Sequence, residues 1–408
     1  MTEKKKSGFE ALVTKTGLYP QEKLAPVKNK NHAFFIGLPK EISLQENRIS
    51  LTPDGVALLV NNGCEVWVET KAGLGAKFTD QQYSEAGAKI VFSAEEVYKA
   101  DVILKIEPPT LDELELMHMG QTLISAIQLG HFKSENLQAM IKKKITALAF
   151  EFIEDKVGGM PIIRAMSEIA GSAVLLIAAE YLSTYSNGKG IILGGISGVP
   201  PTKVVIIGAG TVAEYAARAA IGMGAEVQIF DNHLYKLRRV RHLLGQPVYT
   251  STIDTLTLSE SLKAADVVIG ALRGEKGRSR VVVTEEMVSK MKPDSLIIDL
   301  SIDQGGCVET SDITTHNKPV FRRYGVIHFC VPNVTSRVAH TATTALSNIF
   351  TPTILRAMEE GGVEEMIFSH RWFMKGVYAY KGGITNVFLA KKFGLKFKNI
   401  ELLLAARF

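Results

Sequence analysis

The sequence predicts an α/β protein of two doubly wound domains, the first of them discontinuous, on three observations. Short β-branched runs alternate with helix-like segments in two successive rounds, a glycine fingerprint opens the second round, and a helical tail follows with no strand pattern of its own. A chain of 408 residues, 46% hydrophobic and 22% charged, exceeds what one core holds, which agrees with two domains.

In the first round, Phe34–Ile36, Cys64–Glu69, Lys89–Phe92, Val102–Ile106, Thr122–Ile127 and Ala147–Ile153 read as strands of a parallel sheet. Lys105, Gln128 and Glu151 fall at or near carboxyl ends of these strands, and Arg48 lies in the loop after the first. Ligands of open α/β sheets bind at those ends. The second round comprises Val204–Ile207, Glu226–Phe230, Asp266–Ala271, Leu296–Ile302 and Val326–Val331. Between the rounds, Met166–Tyr185 is apolar almost all round a helix, so it is expected to be buried on several sides as an interdomain and subunit-contact helix. After Thr341 the pattern is helical, at Ala345–Met358 and Asn386–Phe393, and the simplest packing returns this tail to the first domain.

The run Val204-Val-Ile-Ile-Gly208-Ala-Gly210-Thr-Val-Ala213 places an apolar strand before G-x-G-x-x-A and a helix, Thr211–Met223, after it. This marks a Rossmann-like dinucleotide site. Gly208 permits the tight turn, Gly210 lets backbone approach a pyrophosphate at the helix start formed by Thr211 and Val212, and Ala213 allows close packing. Asp231, 23 residues after Gly208, sits where a carboxylate binds ribose hydroxyls and repels a 2′-phosphate, so the expected cofactor is NAD. Lys236 and Leu300 are counted among the cofactor contacts. The expected division is a flexible extension over 1–33, a substrate domain over 34–165 and 340–408, and an NAD-binding domain over 166–339.

Charge excludes a nucleic-acid surface: the net +5 is concentrated in residues 1–33, where seven Lys face three Glu, leaving one excess charge elsewhere. Cys64, Cys307 and Cys330 are odd in number and lack metal-ligand spacing, which points to a reducing, cytoplasmic setting without a metal. Ile169–Leu182 is too short an apolar run to span a bilayer and carries Glu180, so no membrane segment is expected.

Hydride removal from an α-amino acid needs a cation for its carboxylate, a proton acceptor and a nicotinamide against the α-carbon. Asp303 follows the strand Leu296–Ile302 and precedes Gly305 and Gly306; Lys105 interrupts an otherwise apolar strand and requires an anionic partner, either a ligand or Glu107 or another neighbour; Arg48 offers a planar fork in a polar loop. Arg48 and Lys105 are expected to form a positive pocket facing Asp303 across a cleft.

The stretches Pro39-Lys-Glu41 through Arg48 and Leu51-Thr-Pro53, Leu104-Lys105, Met166-Ser-Glu-Ile-Ala-Gly171, the Gly208 fingerprint and Ile302-Asp-Gln-Gly-Gly-Cys307 together resemble the alanine dehydrogenase and nicotinamide nucleotide transhydrogenase family. The resemblance runs from about Ile36 to Leu395. It implies NAD-dependent oxidation of L-alanine to pyruvate and ammonium, a discontinuous substrate domain, and a homo-oligomer, specifically a hexamer. It further implies that Arg48 and Lys105 bind the substrate carboxylate and carbonyl, that Asp303 is an acid/base residue, and that Ser167, Asp231 and Asn333 contact the cofactor. Three positions depart from the alanine dehydrogenase pattern. Gln128 stands where that pattern has a catalytic histidine and cannot carry a proton, although it can orient substrate, and His131 three positions on is a candidate replacement. The loop Leu272–Arg280 is unusually basic, and Ser336-Arg-Val-Ala339 is similar to the transhydrogenase branch. Competing readings are therefore an NAD(H)-binding component of a proton-translocating transhydrogenase, a non-catalytic NAD-binding relative, and an enzyme condensing an oxo acid with a larger amino acid.

Overall fold

Residues 34–43, 45–129, 132–274 and 279–405 are described by the computed structural model. The extension 1–33, His131 and residues 275–278 of the basic loop lie outside the described residues. The first sheet holds β1 (Phe35–Leu38), β2 (Glu65–Glu69), β3 (Lys89–Val91), β4 (Val102–Leu104), β5 (Thr122–Ser125) and β6 (Thr146–Ala149), parallel in the order β6-β5-β4-β1-β2-β3. Side chains alternate between two apolar layers: Ile36, Val66 and Leu104 enter one, Ile103, Leu123 and Ala147 the other. The second sheet holds β7 (Lys203–Ile207), β8 (Glu226–Phe230), β9 (Tyr249–Ser251), β10 (Val267–Gly270), β11 (Leu296–Asp299), β12 (Val320–Arg323) and β13 (Val326–Phe329), in the order β12-β13-β11-β10-β7-β8-β9, with only β12 antiparallel to its neighbour.

Both sheets have a switch point where strand order reverses. In the first it lies between β1 and β4, in the second between β7 and β10. The expectation of no strand after Thr341 is overturned. The tail forms β14 (Val377–Tyr380) and β15 (Gly383–Ile384), and β14 pairs antiparallel with β6, Val377 opposite Leu148 and Ala379 opposite Ala147. These strands are too short to show a period, and their glycine-rich flanks read as loop. Backbone pairing thus makes the first sheet from both ends of the described chain.

The long helix starts at Pro161, five residues before the predicted Met166, because proline at the first helical position sacrifices no hydrogen bond. Ile162 enters the first core, whereas Val174, Leu175, Ala178 and Leu182 enter the second. At its full 22 residues it is long and apolar enough to cross a membrane, unlike the shorter run seen in sequence. Its buried residues are instead packed into the cores of both sheets. The tail helix Ala339–Glu359 brings Thr343, Ser347 and Thr351 at four-residue spacing against the segment that follows β1. Ile49 donates its backbone N–H to Thr343 Oγ1 at 3.1 Å and Thr52 donates to Ser347 Oγ at 3.1 Å. The segment carrying Arg48 is thereby pinned.

The long helix meets the fingerprint helix Thr211–Gly222 at Gly171, where an added Cβ would lie 2.4 Å from the Val212 carbonyl oxygen and 2.8 Å from Tyr215 Cβ. Backbone cannot yield as a side-chain tip does. Gly171→Ala is expected to cost roughly 1–3 kcal/mol of stability by overpacking, read as a lower denaturant midpoint.

Candidate active site

The site is assembled at the switch point of the first sheet. Arg48 comes from the loop after β1 and Lys105 directly follows β4, the two strands that flank the reversal. Arg48 donates from Nε to Glu46 Oε1 at 2.8 Å and from NH2 to Glu46 Oε2 at 2.6 Å, a bidentate fork, and from NH1 to Thr335 Oγ1 at 2.9 Å. Met166 Sδ lies 3.5 Å from NH1. Asn333, in a left-handed conformation at φ 58°, donates its side-chain amide to Glu46. The fork is therefore held between the first sheet and the segment that follows β13.

Lys105 has a fully buried side chain, with Nζ 3.2 Å from carboxylate oxygens of both Glu41 and Glu113 and donating to the Glu107 carbonyl at 3.1 Å. Glu41 is itself fixed by the Ile106 N–H. The expected positive pocket is thus corrected: Glu41, Glu46, Glu107 and Glu113 surround two cations. Burial raises Glu41, opposed by Lys105. Glu46 is held low against burial by the charge and hydrogen bonds of Arg48. Glu107 is pushed up to about 8, by burial first and then by the Glu46 charge, with Arg48 pulling the other way.

Glu107 reaches the crevice. Its Oε1 lies 3.6 Å from Arg48 NH2, and its Oε2 accepts from Gln128 Nε2 at 2.7 Å. Gln128 occupies left-handed backbone space, φ 46°, which is costly for a residue with a Cβ. Glu151 holds it there, accepting the N–H of Ile127 at 2.7 Å and of Gln128 at 3.2 Å. Burial raises the Glu151 carboxyl, opposed by the Ile127 and Gln128 N–H groups and then by the charge of Arg273 in the loop after β10.

In the second sheet the fingerprint turn lies beside its own switch point. Gly208 adopts φ 113°, and a Cβ there would sit 2.4 Å from the Ala271 carbonyl oxygen, so only glycine fits. Gly210 precedes Thr211 and Val212 at the helix start, has no side-chain cap and faces open space. A pyrophosphate fits this cradle. Asp231 is buried, accepting from Ala209 N–H at 2.8 Å and His233 N–H at 2.8 Å, so it braces the turn. Lys236 is half-buried on the next helix, Leu300 and Ser167 likewise on their own segments.

Asp303 is exposed on a 3₁₀ turn, Ile302–Gln304, because β11 ends at Asp299 rather than at Ile302. Asp299 is the buried carboxylate that shapes this loop, accepting from the N–H groups of Ser301 at 3.0 Å and Cys307 at 2.9 Å and from Ser311 Oγ at 2.8 Å. Next to Asp303, Gln304 Oε1 accepts the Gly274 N–H at 2.8 Å, tying this turn to the Arg273 loop. The structure brings Arg48, Lys105 and Gln128 into one cluster and places Asp303 on this adjoining turn. Sequence reasoning missed Glu46 and Asp299 and took Glu107 only as an ion-pair partner of Lys105. Their signal was a carboxylate within two residues of a singled-out cation, or ending a buried strand.

Residues 37–170 match the family model described as Alanine dehydrogenase/PNT, N-terminal domain, and residues 173–387 match Alanine dehydrogenase/PNT, C-terminal domain. An alanine dehydrogenase of Methanococcus maripaludis is 38% identical over 368 residues, 90% of this chain and 98% of the relative. An alanine dehydrogenase 2 of Staphylococcus aureus is 38% identical over 367 residues, again 90% and 98%. A solved L-alanine dehydrogenase superposes with a TM-score of 0.82 at 34% identity, covering 88% of this chain and 99% of that one. A transhydrogenase from Sinorhizobium meliloti shares the fold, with a TM-score of 0.74 at 24% identity over 86% and 99%. The chain belongs to the alanine dehydrogenase/PNT family, which agrees with the resemblance carried by its motifs.

Glu46→Gln removes the charge that neutralises the buried Arg48 fork, and breaking such a pair costs about 3–5 kcal/mol. Without the Glu46 charge, Glu107 ionises more readily beside Arg48, so the upward shift of its carboxyl shrinks and the cost of ionising it as pH rises is smaller than in wild type. Unfolding midpoints measured on either side of about pH 8, both well above the range where Glu46 protonates, are expected to show a smaller deficit on the alkaline side.

Proposed function

We propose that this protein oxidatively deaminates L-alanine to pyruvate and ammonium with NAD. The observation that carries the reading is the Arg48 fork, set at the first sheet's switch point and bonded to Thr335 beside Asn333, in the segment leaving the second sheet. A carboxylate bound there would exchange for the loose Glu107 contact, leaving Glu46 in place. Lys105 would polarise the carbonyl or carbinol oxygen, Gln128 would orient the substrate, and Asp303 would exchange protons with it. Gly208, Gly210, Thr211 and Val212 would receive the pyrophosphate, Asp231 the ribose, and Ser167, Lys236, Leu300 and Asn333 would complete the cofactor contacts. Bound NAD supplies the hydride acceptor.

The same reading divides the chain into a substrate part, 34–165 with 340–408, and a cofactor part, 166–339. It places the protein in the cytoplasm, which the three buried free thiols support. It makes the protein a homo-oligomer: Leu176, 62% exposed on the long helix, offers an apolar contact. A second reading, a non-catalytic NAD-binding relative, draws on Gln128, which cannot titrate.

Purified protein given L-alanine and NAD at alkaline pH is expected to generate NADH, followed by absorbance. NADP is expected to be a poor substitute because Asp231 repels a 2′-phosphate. NADH binding with no amino-acid turnover would reject the dehydrogenase reading in favour of the second.

A further inference from the structure

Deamination does not finish with hydride removal. The imine must be hydrated and the amine expelled, and each step moves a proton at the α-carbon's substituents. Gln128, at the crevice, has no proton to exchange, yet its side chain is bonded at 2.7 Å to a carboxyl that does. That carboxyl, Glu107, also lies 3.6 Å from the guanidinium that is placed to hold the substrate. It is 13% exposed, so it is desolvated but reachable.

We propose that Glu107 is the proton-transfer group for hydration and breakdown of the imine, with Gln128 as its positioning residue. The inference rests on the amino-acid dehydrogenase reading above. In the ionised form Glu107 accepts a proton from a water molecule as the water oxygen bonds to the iminium carbon, giving a neutral carbinolamine and a protonated Glu107. Glu107 then returns that proton to the carbinolamine nitrogen. The C–N bond breaks as the hydroxyl oxygen forms the carbonyl, and the hydroxyl proton leaves with ammonia as ammonium. Iminium and water enter, oxo acid and ammonium leave, and Glu107 ends as it began.

The surroundings suit a proton carrier. Glu46, in hydrogen-bonding contact and ionised by Arg48, together with Glu41, favours the protonated form of Glu107, while Arg48 favours the carboxylate. Behind it, Lys105 is balanced by Glu41 and Glu113, and beneath Gln128 lies Glu151 with Arg273 opposite. Such a balance lifts the exchange out of the ordinary carboxylate range to about 8, so that both forms of the group are accessible near neutral pH.

The test compares wild type with Glu107→Gln, which keeps shape and hydrogen bonding, and Glu107→Asp, which keeps the proton. Wild-type kcat for alanine oxidation is expected to decline below about pH 8. Glu107→Gln should lower kcat roughly 10²–10⁴-fold, remove that decline, leave NADH binding little changed and not raise KM, with partial rescue in Glu107→Asp. Infrared difference spectra should show a protonated-carboxyl band near neutral pH that vanishes at alkaline pH and is absent from Glu107→Gln. A Gln variant with near wild-type kcat and the same pH profile, or loss of NADH binding with kcat, would overturn the proposal, as would absence of the band. Should wild type bind NADH yet oxidise no alanine, the alanine reading fails; the band then supports Glu107 as the proton holder and its absence overturns that too.

Discussion

The bidentate bond between Arg48 and Glu46 is the constraint on which the site depends. A guanidinium with so little solvent is stable only while its charge is matched, and Glu46 matches it through two short parallel bonds. Thr335 and Asn333 complete the pair from the other sheet's outgoing segment, so one buried interaction sets both the position of the guanidinium and the register between two switch points. The hydroxyl stripe of the tail helix then fixes the loop from behind. An error in any of these would leave polar groups buried and unmatched, which confines the loop to one conformation.

Charge balance makes the cluster reactive as well as rigid. Four carboxylates around two cations cannot all stay ionised in a desolvated crevice, and the proton settles on the member with the weakest cationic contact. That member is Glu107: Glu46 has the arginine fork, whereas Glu41 and Glu113 share the lysine. A surplus of acid thus supplies what a neutral amide at Gln128 lacks. The cofactor side achieves rigidity by different means, with the Gly208 turn wedged against Ala271 and stitched to Asp231.

Much of the fold was legible because parallel strands are buried on both faces and read as apolar runs. β8 was placed residue for residue, and the fingerprint turn with its helix start at Thr211 was located by spacing alone. Strand ends were overshot at β3, β4, β5, β6, β10, β11 and β13, because apolar residues such as Ile106, Ala126, Ile127, Phe150 and Val331 stay buried after pairing stops. The missed strands β9, β12, β14 and β15 are edge or near-edge pieces of two to four residues, too short for periodicity. In the site, the two cations stood out because charge in an apolar run is conspicuous. Their carboxylate partners did not, since Glu41, Glu46, Glu107 and Glu113 converge from separate loops and a helix, and only folding reveals the count.

The pairing of β14 with β6 has a bearing on synthesis. Until the ribosome has released residues beyond Tyr380, the outer edge of β6 has no neighbour and its row of amides and carbonyls is open to any passing strand. The intervening dinucleotide-type sheet is complete long before that moment and can fold as an insert while its host waits. Nascent chains stalled between the two events would be the aggregation-prone species, and chaperone demand should peak in that interval.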